Sequence, residues 1–145
     1  MMSSQKIDFV FFDIGGTLGE RSPVTGKLVM YPSSEVLFTA MRDVVNLRMG
    51  IITTLGPDLT DTDGLALLQE VGVDDFLDPQ GFVSEHTAGA AKPHAAIYQF
   101  AAQRVGVPVD RCLYLSENLI EVLGALAAGM QAVLKPCPPG RELPV

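Results

Sequence analysis

The chain has 145 residues, of which 48% are hydrophobic and 19% are charged, and this is the size and composition of one folded domain rather than of a disordered segment. Its formal net charge of −7 comes without any cluster of Lys and Arg, which argues against a nucleic-acid partner because nucleic acids are bound through basic surfaces. No signal-peptide pattern precedes the first apolar run, and the longest apolar stretch, Val122 to Leu134, is too short to cross a bilayer. We therefore expect a soluble, cytoplasmic protein with no membrane partner.

The first half of the chain predicts two strands separated by a hairpin and a helix. The continuous apolar run Ile7–Phe12 is typical of a strand buried on both faces, and the polar stretch Gly19–Tyr31 predicts a small hairpin with Thr25-Gly26-Lys27 at its tip. A helix is predicted from Pro32 to Gly50. Ile51–Thr54 then predicts a second strand. The apolar face of the helix is expected to contain Val36, Leu37, Ala40, Met41, Val44 and Val45.

The second half predicts an alternation of helices and strands. Lys92-Pro93 introduces a helix, because proline suits the first helical position. The other predicted elements are the helix Asp61–Val71, the weak strand Gly81–Ser84, the strand Cys112–Leu115, the helix Asn118–Ala128 and the strand Met130–Leu134, before an irregular tail at 136–145. This alternation predicts one α/β domain over residues 1–145, with a parallel sheet of about five strands between two layers of helices.

Polar side chains follow the predicted strands or begin the elements after them. Asp13 comes directly after the first strand, Thr53 ends the second, and Lys92 precedes the later helix. The fourth group contains Ser116, Glu117, Asn118 and Glu121. Because ligands bind at the carboxyl ends of the strands in such sheets, we expect Asp13, Thr53 and Lys92 to converge on one small volume there.

Four segments resemble the signatures of the haloacid dehalogenase superfamily. FVFFDIGGTL is similar to the first, in which an apolar strand leads into Asp-x-Asp-Gly-Thr, and IITT resembles the second. AKPHAAIYQFAAQRVGV resembles the third, with its lysine before proline. RCLYLSENLIEVLGALAAGMQAV resembles the fourth. The resemblance covers residues 7–134 and implies a Rossmann-like sheet with strand order 3-2-1-4-5.

The resemblance also implies a chemistry and a set of site residues. Asp13 falls at the position of the nucleophile that forms an aspartyl-phosphate, while Thr53 and Lys92 fall where phosphoryl oxygens are held. It implies a Mg²⁺ cofactor held by Asp13, the backbone carbonyl of Gly15 and a carboxylate of the fourth segment, Glu117 or Glu121. Further contacts to a phosphorylated substrate are expected from Gly16, Thr17, Thr54, Ser116 and Asn118.

Two departures from the family pattern bear on activity. Gly15 stands where family phosphatases place the Asp that protonates the leaving oxygen, and losing a general acid costs roughly 10²- to 10⁴-fold in rate. Glu117 stands where a shorter Asp is usual, which changes the reach of a metal ligand. We expect a phosphatase-type hydrolase of low turnover.

Two alternatives remain open at the level of sequence. Ser116-x-Asn118-x-x-Glu121 is similar to the Ser-x-Asn-x-x-Asp of 2-haloacid dehalogenases, which use no metal and also lack the second Asp of the first signature. The other is a degenerate binding or interaction protein on the same scaffold. The short stretches between Leu18 and Ile51 and between Thr54 and Lys92 leave little room for a cap domain. An open site favours a large phosphorylated substrate or a partner protein, and a homo-oligomer is compatible with the sequence.

The remaining polar residues and cysteines have simpler interpretations. His94 is expected to be a solvated residue at a helix start, and His86 an exposed loop residue. Arg21 and Lys27, in the hairpin, are interpreted as solvated charges close to the expected site. Cys112 is expected in the core and Cys137 in the exposed tail.

Overall fold

The computed structural model of the chain describes residues 6–136. The elements of the first half are β1 (Phe9–Phe12), β2 (Gly19–Arg21), β3 (Leu28–Met30), α1 (Pro32–Asp43), β4 (Arg48–Thr53) and α2 (Asp61–Glu70). Those of the second half are β5 (Phe82–Ser84), α3 (Glu85–Ala88), α4 (Ala95–Val105), β6 (Cys112–Ser116), α5 (Leu119–Ala127) and β7 (Gln131–Leu134). Two short 3-10 turns, Val73–Phe76 and Val109–Arg111, complete the chain path. The predicted tail begins at Pro136, and Cys137 and the rest of the tail lie outside the described residues.

Five strands form one parallel sheet in the order β5-β4-β1-β6-β7. Counted along the sheet strands alone, this is the predicted order 3-2-1-4-5, which is confirmed. β2 and β3 form a separate antiparallel hairpin, as the sequence predicts for the stretch Gly19–Tyr31. Because β1 is central, the residues that follow it lie between the ends of β4 and β6.

β1 is central because all four of its side chains are apolar and fully buried. Phe9 and Phe11 pack on one face with residues of α4 and α5, including Ile97 and Ala125. The alternate residues, Val10 and Phe12, pack on the other face with residues of α1 and α2, chiefly Phe38 and Leu68. The sheet is therefore covered by helices on both sides, which gives the three-layer α/β architecture.

The predicted end of the first helix, at Gly50, is wrong. α1 ends at Asp43, the chain turns at Asn46 with a φ of 59°, and Gly50 lies inside β4. A Cβ at Gly50 would lie 2.5 Å from the carbonyl oxygen of Gly81 and 2.9 Å from the ring of Phe9. Glycine is needed here for close packing against the segment before β5, not to end a helix.

Part of the predicted apolar face of this helix is also wrong. Val36 is 70% exposed, and Val44 and Val45, beyond the end of α1, are 82% and 58% exposed. The buried face of α1 is carried instead by Phe38, with Leu37 and Met41 partly buried against the same core. The valines continue the helical spacing in sequence, but the core lies on the other side of the helix.

Lys92-Pro93 does not open a helix as predicted. The Lys92–Pro93 peptide bond is cis, and α4 begins at Ala95. His94 is the N-cap of α4, and its ring accepts a hydrogen bond from the backbone N–H of Ala96. The structure thus makes the exposed His94 a helix-terminal residue, as expected.

The cysteine of the core and the lengths of the helices can be examined in the described residues. Cys112 is fully buried, and burial raises the pKa of its thiol to about 12. None of the helices between residues 6 and 136 has the length and hydropathy that crossing a bilayer requires.

Candidate active site

Asp13 lies at the carboxyl end of the central strand. Its backbone N–H donates to the carbonyl of Leu115 at 3.0 Å, so the residue is held by the neighbouring strand β6. The chain then turns sharply, since the N–H groups of Thr17 and Leu18 both donate to the carbonyl of Ile14. The Asp13 residue is only 7% exposed, so its carboxylate requires partners within the protein.

Lys92 provides the positive charge next to this carboxylate. Its Nζ lies 2.7 Å from Asp13 Oδ1 and 2.8 Å from Glu121 Oε1, and its side chain is only 2% exposed. The same ammonium donates to the hydroxyl of Tyr114 at 3.1 Å. A buried ammonium with three oxygen partners is fixed in position, which is what charge stabilisation at a reaction centre requires.

Two tyrosines hold Glu121 in place. Tyr114 donates its hydroxyl proton to Glu121 Oε1 at 2.8 Å, and Tyr98 donates to the backbone carbonyl of Glu121 at 2.7 Å. Burial, followed by the charges of Glu121 and Asp13, raises the pKa of Tyr98 above its ordinary value. Burial, followed by the charges of Asp13 and Glu121, raises the pKa of Tyr114 still further above its ordinary value. Both hydroxyls therefore stay protonated and act as hydrogen-bond donors.

The second oxygen of Asp13 faces hydroxyl groups. Thr17 and Ser116 both lie with their hydroxyl oxygens 3.3 Å from Asp13 Oδ2, and both residues are fully buried. The Thr17 hydroxyl also accepts from the N–H of Glu117 at 2.9 Å, which ties the turn after β1 to the end of β6. The sequence predicts Thr17 and Ser116 as substrate contacts, and in the structure both hydroxyls face the Asp13 carboxylate.

Glu117 lies over the turn after β1. A Cβ at Gly16, whose φ is +78°, would lie 2.9 Å from three atoms of the Glu117 side chain. Gly16 therefore lets this carboxylate approach the backbone, which is a different role from the substrate contact that the sequence predicted. Burial first, and then the negative charges of Asp13 and Glu121, raise the pKa of Glu117, while Lys92 acts in the opposite direction. The site thus contains more negative charge than Lys92 balances.

Asn118 is the N-cap of α5, and its side-chain oxygen accepts from the N–H of Glu121 at 3.2 Å. This capping hydrogen bond is sufficient to explain why an asparagine lies at the start of α5.

Thr53 and Thr54 lie on the opposite side of Asp13 from this cluster, at the end of β4. With Ile14 and Gly15 they line a cavity of about 220 Å³ that extends towards the β2–β3 hairpin. Thr53 is buried at 6% exposure, whereas Thr54 is exposed. Asp13 therefore has Lys92, which contacts Tyr114 of β6, on one side and Thr53 of β4 on the other.

The donors suit a divalent cation in part. Asp13, Glu117 and the carbonyl of Gly15 offer the oxygen atoms that Mg²⁺ prefers. Glu121 does not fit this set, because its Oε1 is engaged by Lys92, Tyr114 and Ser116. Within residues 6–136 no three His, Cys, Asp or Glu side chains are arranged to hold a metal, so any such site uses two carboxylates and a backbone carbonyl.

The loop that follows β4 is held by residues of the short helix α3. Glu85 accepts from the N–H groups of Leu55 and Gly56, both at 2.8 Å. Although partial burial opposes the effect, these bonds lower the pKa of Glu85. His86, predicted in a loop, is instead an exposed residue of α3, and its Nε2 contacts the carbonyls of Gly56 and Leu59. These contacts fix one wall of the cavity beside Thr53.

Sequence reasoning missed several of these residues. Tyr114 could have been found, because it lies two positions before Ser116 in a strand and so shares its face. Glu85 directly follows β5, as Asp13 follows β1. Lys135 follows β7 in the same way, and its Nζ donates to the carbonyl of Thr17 at 2.9 Å. Tyr98 carries no comparable signal, because it reaches the site from a helix.

Comparisons with known proteins identify the family. A family model described as a haloacid dehalogenase-like hydrolase matches residues 21–129. Phosphatase MT3486 of Mycobacterium tuberculosis (strain CDC 1551 / Oshkosh) is 33% identical over 88 residues, which are 61% of this chain and 38% of that protein. The match thus spans well under half the length of this curated relative.

Solved structures show the same fold at low sequence identity. A hydrolase of the same superfamily from Ehrlichia chaffeensis is similar with a TM-score of 0.74 and 10% identity, over 91% of this chain and 89% of that one. L-2-haloacid dehalogenase from Xanthobacter autotrophicus is similar with a TM-score of 0.71 and 18% identity, over 87% and 76% of the two chains. At such identities the likeness concerns the fold alone.

Proposed function

The chain belongs to the haloacid dehalogenase-like hydrolases, and on that premise we propose that it hydrolyses phosphate monoesters slowly, with Asp13 as the nucleophile. The buried ion pair between Lys92 Nζ and Asp13 Oδ1, at 2.7 Å, carries this proposal. It places a positive charge beside the proposed nucleophile, where phosphoryl oxygens would gather. The phosphatase relative from Mycobacterium tuberculosis supports the choice of substrate class.

The proposed reaction has two steps. A carboxylate oxygen of Asp13 forms a bond to phosphorus, and the bond to the ester oxygen breaks, with its electron pair leaving on that oxygen. Water then attacks phosphorus, releases inorganic phosphate and regenerates the carboxylate. Lys92 and Thr53 stabilise the charge on the phosphoryl oxygens, while the hydroxyl groups of Thr17 and Ser116 orient the Asp13 carboxylate.

Low turnover follows from Gly15. The leaving oxygen must take its proton from solvent, because Gly15 has no acid to offer at the position where family phosphatases have one. The loss of a general acid costs on the order of 10²- to 10⁴-fold in rate. Esters with good leaving groups, such as aryl and acyl phosphates, suffer least.

The proposal includes Mg²⁺, with Glu117 but not Glu121 among its ligands. Asp13, Glu117 and the Gly15 carbonyl would hold it, with Glu121 left to Lys92. When bound, the ion supplies charge that offsets the anionic phosphate. The choice of these ligands is supported by the chemistry of the donors, since carboxylate and carbonyl oxygens are what Mg²⁺ prefers.

One observation favours a second candidate, a metal-independent hydrolase of the dehalogenase type. Ser116 and Glu121, two members of the Ser-x-Asn-x-x-Asp-like pattern, both lie in the Asp13–Lys92 cluster. In that chemistry Asp13 would attack a carbon atom and expel halide, and water would then cleave the resulting ester. The Lys92 ammonium would then occupy the space between Asp13 and Glu121 without any metal.

The deciding experiment measures phosphate and halide release side by side. Purified protein is incubated with p-nitrophenyl phosphate and acetyl phosphate, with Mg²⁺ or with EDTA, and in parallel with 2-chloropropionate. We expect Mg²⁺-dependent phosphate release that Asp13→Asn abolishes and Asp8→Asn leaves intact. Asp8 is a matched control because it pairs with Arg111 at the other end of β1.

Two results would contradict the proposal. Halide release that requires Asp13 and persists in EDTA would favour the dehalogenase chemistry. No turnover of any of these substrates, in a protein that still binds inorganic phosphate, would favour the non-catalytic binding protein.

A further inference from the structure

The cavity beside Thr53 is formed by four parts of the chain. The turn after β1 contributes Ile14 and Gly15, the hairpin contributes Arg21 and Leu28, and α2 contributes Gly64 and Leu67. The end of β4 and the following loop provide the rest, including Leu55 and Leu59. The cavity thus lies on the side of Asp13 away from Lys92, and the proposed phosphoryl chemistry does not use most of it.

Its walls are apolar. Ile14, Leu28, Leu55, Leu59 and Leu67 provide five branched aliphatic side chains, and only Thr53 and Thr54 add hydroxyl groups. Pockets of this kind bind apolar groups, because burial of the ligand's apolar surface is the main favourable contribution. Ile14 and Gly15, which directly follow Asp13 in the chain, are part of the lining.

Gly15, two residues after Asp13, adds open space to the lining of the cavity. A Cβ placed at Gly15 would meet no heavy atom within 4 Å. The space that an acid side chain would occupy is therefore open and continuous with the apolar lining. The same residue that removes the general acid makes room for substrate.

The volume fits one ring. The cavity measures about 220 Å³, whereas an apolar cavity of about 150 Å³ is enough to hold benzene. A phenyl-sized group fits with room for one small substituent, and a sugar would place hydroxyl groups against leucine and isoleucine side chains.

Arg21 is the single charged residue among those that line the cavity. Its Nε donates to the carbonyl of Gly26 at 3.0 Å, which orients the exposed guanidinium at the hairpin. A guanidinium at the rim of an apolar cavity favours a ligand whose far end is anionic. Lys27 lies in the same hairpin but does not line the cavity.

We infer that this cavity binds the organic leaving group of the substrate. The preferred substrates are phosphate monoesters of a ring-sized apolar alcohol or phenol, and the far end of this group carries an anion that faces Arg21. This inference rests on the proposed function for the position of the phosphoryl group. It adds the chemical class of the group that leaves.

The test must separate binding from leaving-group reactivity, because aryl phosphates react readily in any case. Phosphonates have no ester bond to break, so we choose methylphosphonate, phenylphosphonate and 4-carboxyphenylphosphonate as probes and measure Kd by calorimetry. Leu59→Trp fills the cavity, and Leu126→Trp, at a half-exposed site on α5, is the matched control. Leu55→Phe fills the cavity from a neighbouring position if Leu59→Trp proves unfolded.

We expect phenylphosphonate to bind at least about tenfold more tightly than methylphosphonate, as for an apolar group entering a fitting pocket. Leu59→Trp should remove this preference and Leu126→Trp should keep it. Arg21→Gln should weaken 4-carboxyphenylphosphonate binding by about two- to fivefold, the range of an exposed ion pair, and Lys27→Gln should not.

Equal binding of methyl and phenyl probes, absence of binding by either, or a phenyl preference that survives both cavity-filling variants would overturn the inference. These outcomes differ from failure of the proposed function. A phenyl preference in a protein that hydrolyses nothing keeps the subsite and removes the phosphatase. Turnover of acetyl phosphate without any phenyl preference keeps the phosphatase and removes the subsite.

Discussion

Lys92 Nζ lies 2.7 Å from Asp13 Oδ1 in a setting where the lysine side chain is only 2% exposed. The ammonium also serves Glu121, so one buried cation balances two carboxylates. Removal of one partner from a buried ion pair leaves an uncompensated charge and costs roughly 3–5 kcal/mol. We expect Lys92→Met to lower the free energy of unfolding by about that amount and to abolish phosphate release.

Urea denaturation followed by circular dichroism measures this loss, with Lys27→Met as the control at an exposed cation. A folded Lys92→Met protein of unchanged stability would show that the two carboxylates do not depend on this ammonium.

Tyr114 and Tyr98 provide a matched pair of substitutions. Tyr114→Phe removes a hydroxyl that bonds to a charged carboxylate and to the ammonium, and should cost about 1.5–3 kcal/mol. Tyr98→Phe removes a bond to a neutral carbonyl, and should cost about 0.5–1.5 kcal/mol.

Activity distinguishes the two tyrosines more clearly. Only Tyr114 contacts Lys92, so kcat should fall in Tyr114→Phe and stay close to wild type in Tyr98→Phe. Equal losses of kcat in both variants would mean that the tyrosines act only through overall stability.

Glu117 predicts a dependence of stability on pH. Its folded pKa is raised, so between the ordinary carboxyl pKa and the raised value the folded chain binds more protons at this residue than the unfolded chain does. Glu117 therefore lowers the free energy of unfolding as pH rises through that window, and the cost is complete above it.

Glu117→Gln should remove this cost and raise stability at pH 7 by less than about 1 kcal/mol, as for a screened contact between like charges. Denaturation at pH 4 and pH 7 measures the change, with Glu70→Gln, exposed at the end of α2, as the control. A loss of stability at pH 7 would mean that the Glu117 carboxylate is stabilising in the folded state.

The sheet could be predicted from sequence because its strands are short apolar runs bounded by polar residues. β1 and β6 are buried by α4 and α5 on one face of the sheet and by α1 and α2 on the other. The end of α1 could not be predicted in this way. Val44 and Val45 continue the helical spacing, and only the pairing of Gly50 with Phe11 of β1 shows that this glycine belongs to a strand.

In the candidate site, too, some features could be predicted from sequence and others could not. Asp13, Ser116 and Glu121 lie at or just after the ends of parallel strands, and Lys92 lies shortly before α4, so they meet at one edge of the sheet, where the structure places them in contact. Sequence position alone does not show which residues touch substrate and which orient others. Thr17 and Ser116 are buried beneath Asp13, and Asn118 caps a helix, because hydrogen bonds within the fold use their polar atoms.

Gly15→Asp restores the missing acid and tests the proposed cause of low turnover. No heavy atom lies within 4 Å of a Cβ at this position, and Gly15 is not among the glycines with positive φ, so an Asp fits without backbone strain. We expect wild-type stability within about 0.5 kcal/mol, as for a substitution that disturbs no packed contact.

The gain in rate should depend on the leaving group. An alkoxide needs a proton in the transition state and a nitrophenolate needs little help, so Gly15→Asp should raise kcat/KM for methyl phosphate more than for p-nitrophenyl phosphate. The gain for the alkyl ester could reach about 10²-fold, the low end for general acid catalysis. Gly15→Asn has the same shape without the acid, and should give no gain.

Because the new side chain also enters the apolar cavity, phenylphosphonate should bind more weakly to both variants, and this shared loss separates filling of the cavity from the effect of the acid. A well-folded Gly15→Asp protein that binds Mg²⁺ and hydrolyses neither ester would show that the absent acid is not the main defect, and would favour a binding protein over a slow phosphatase.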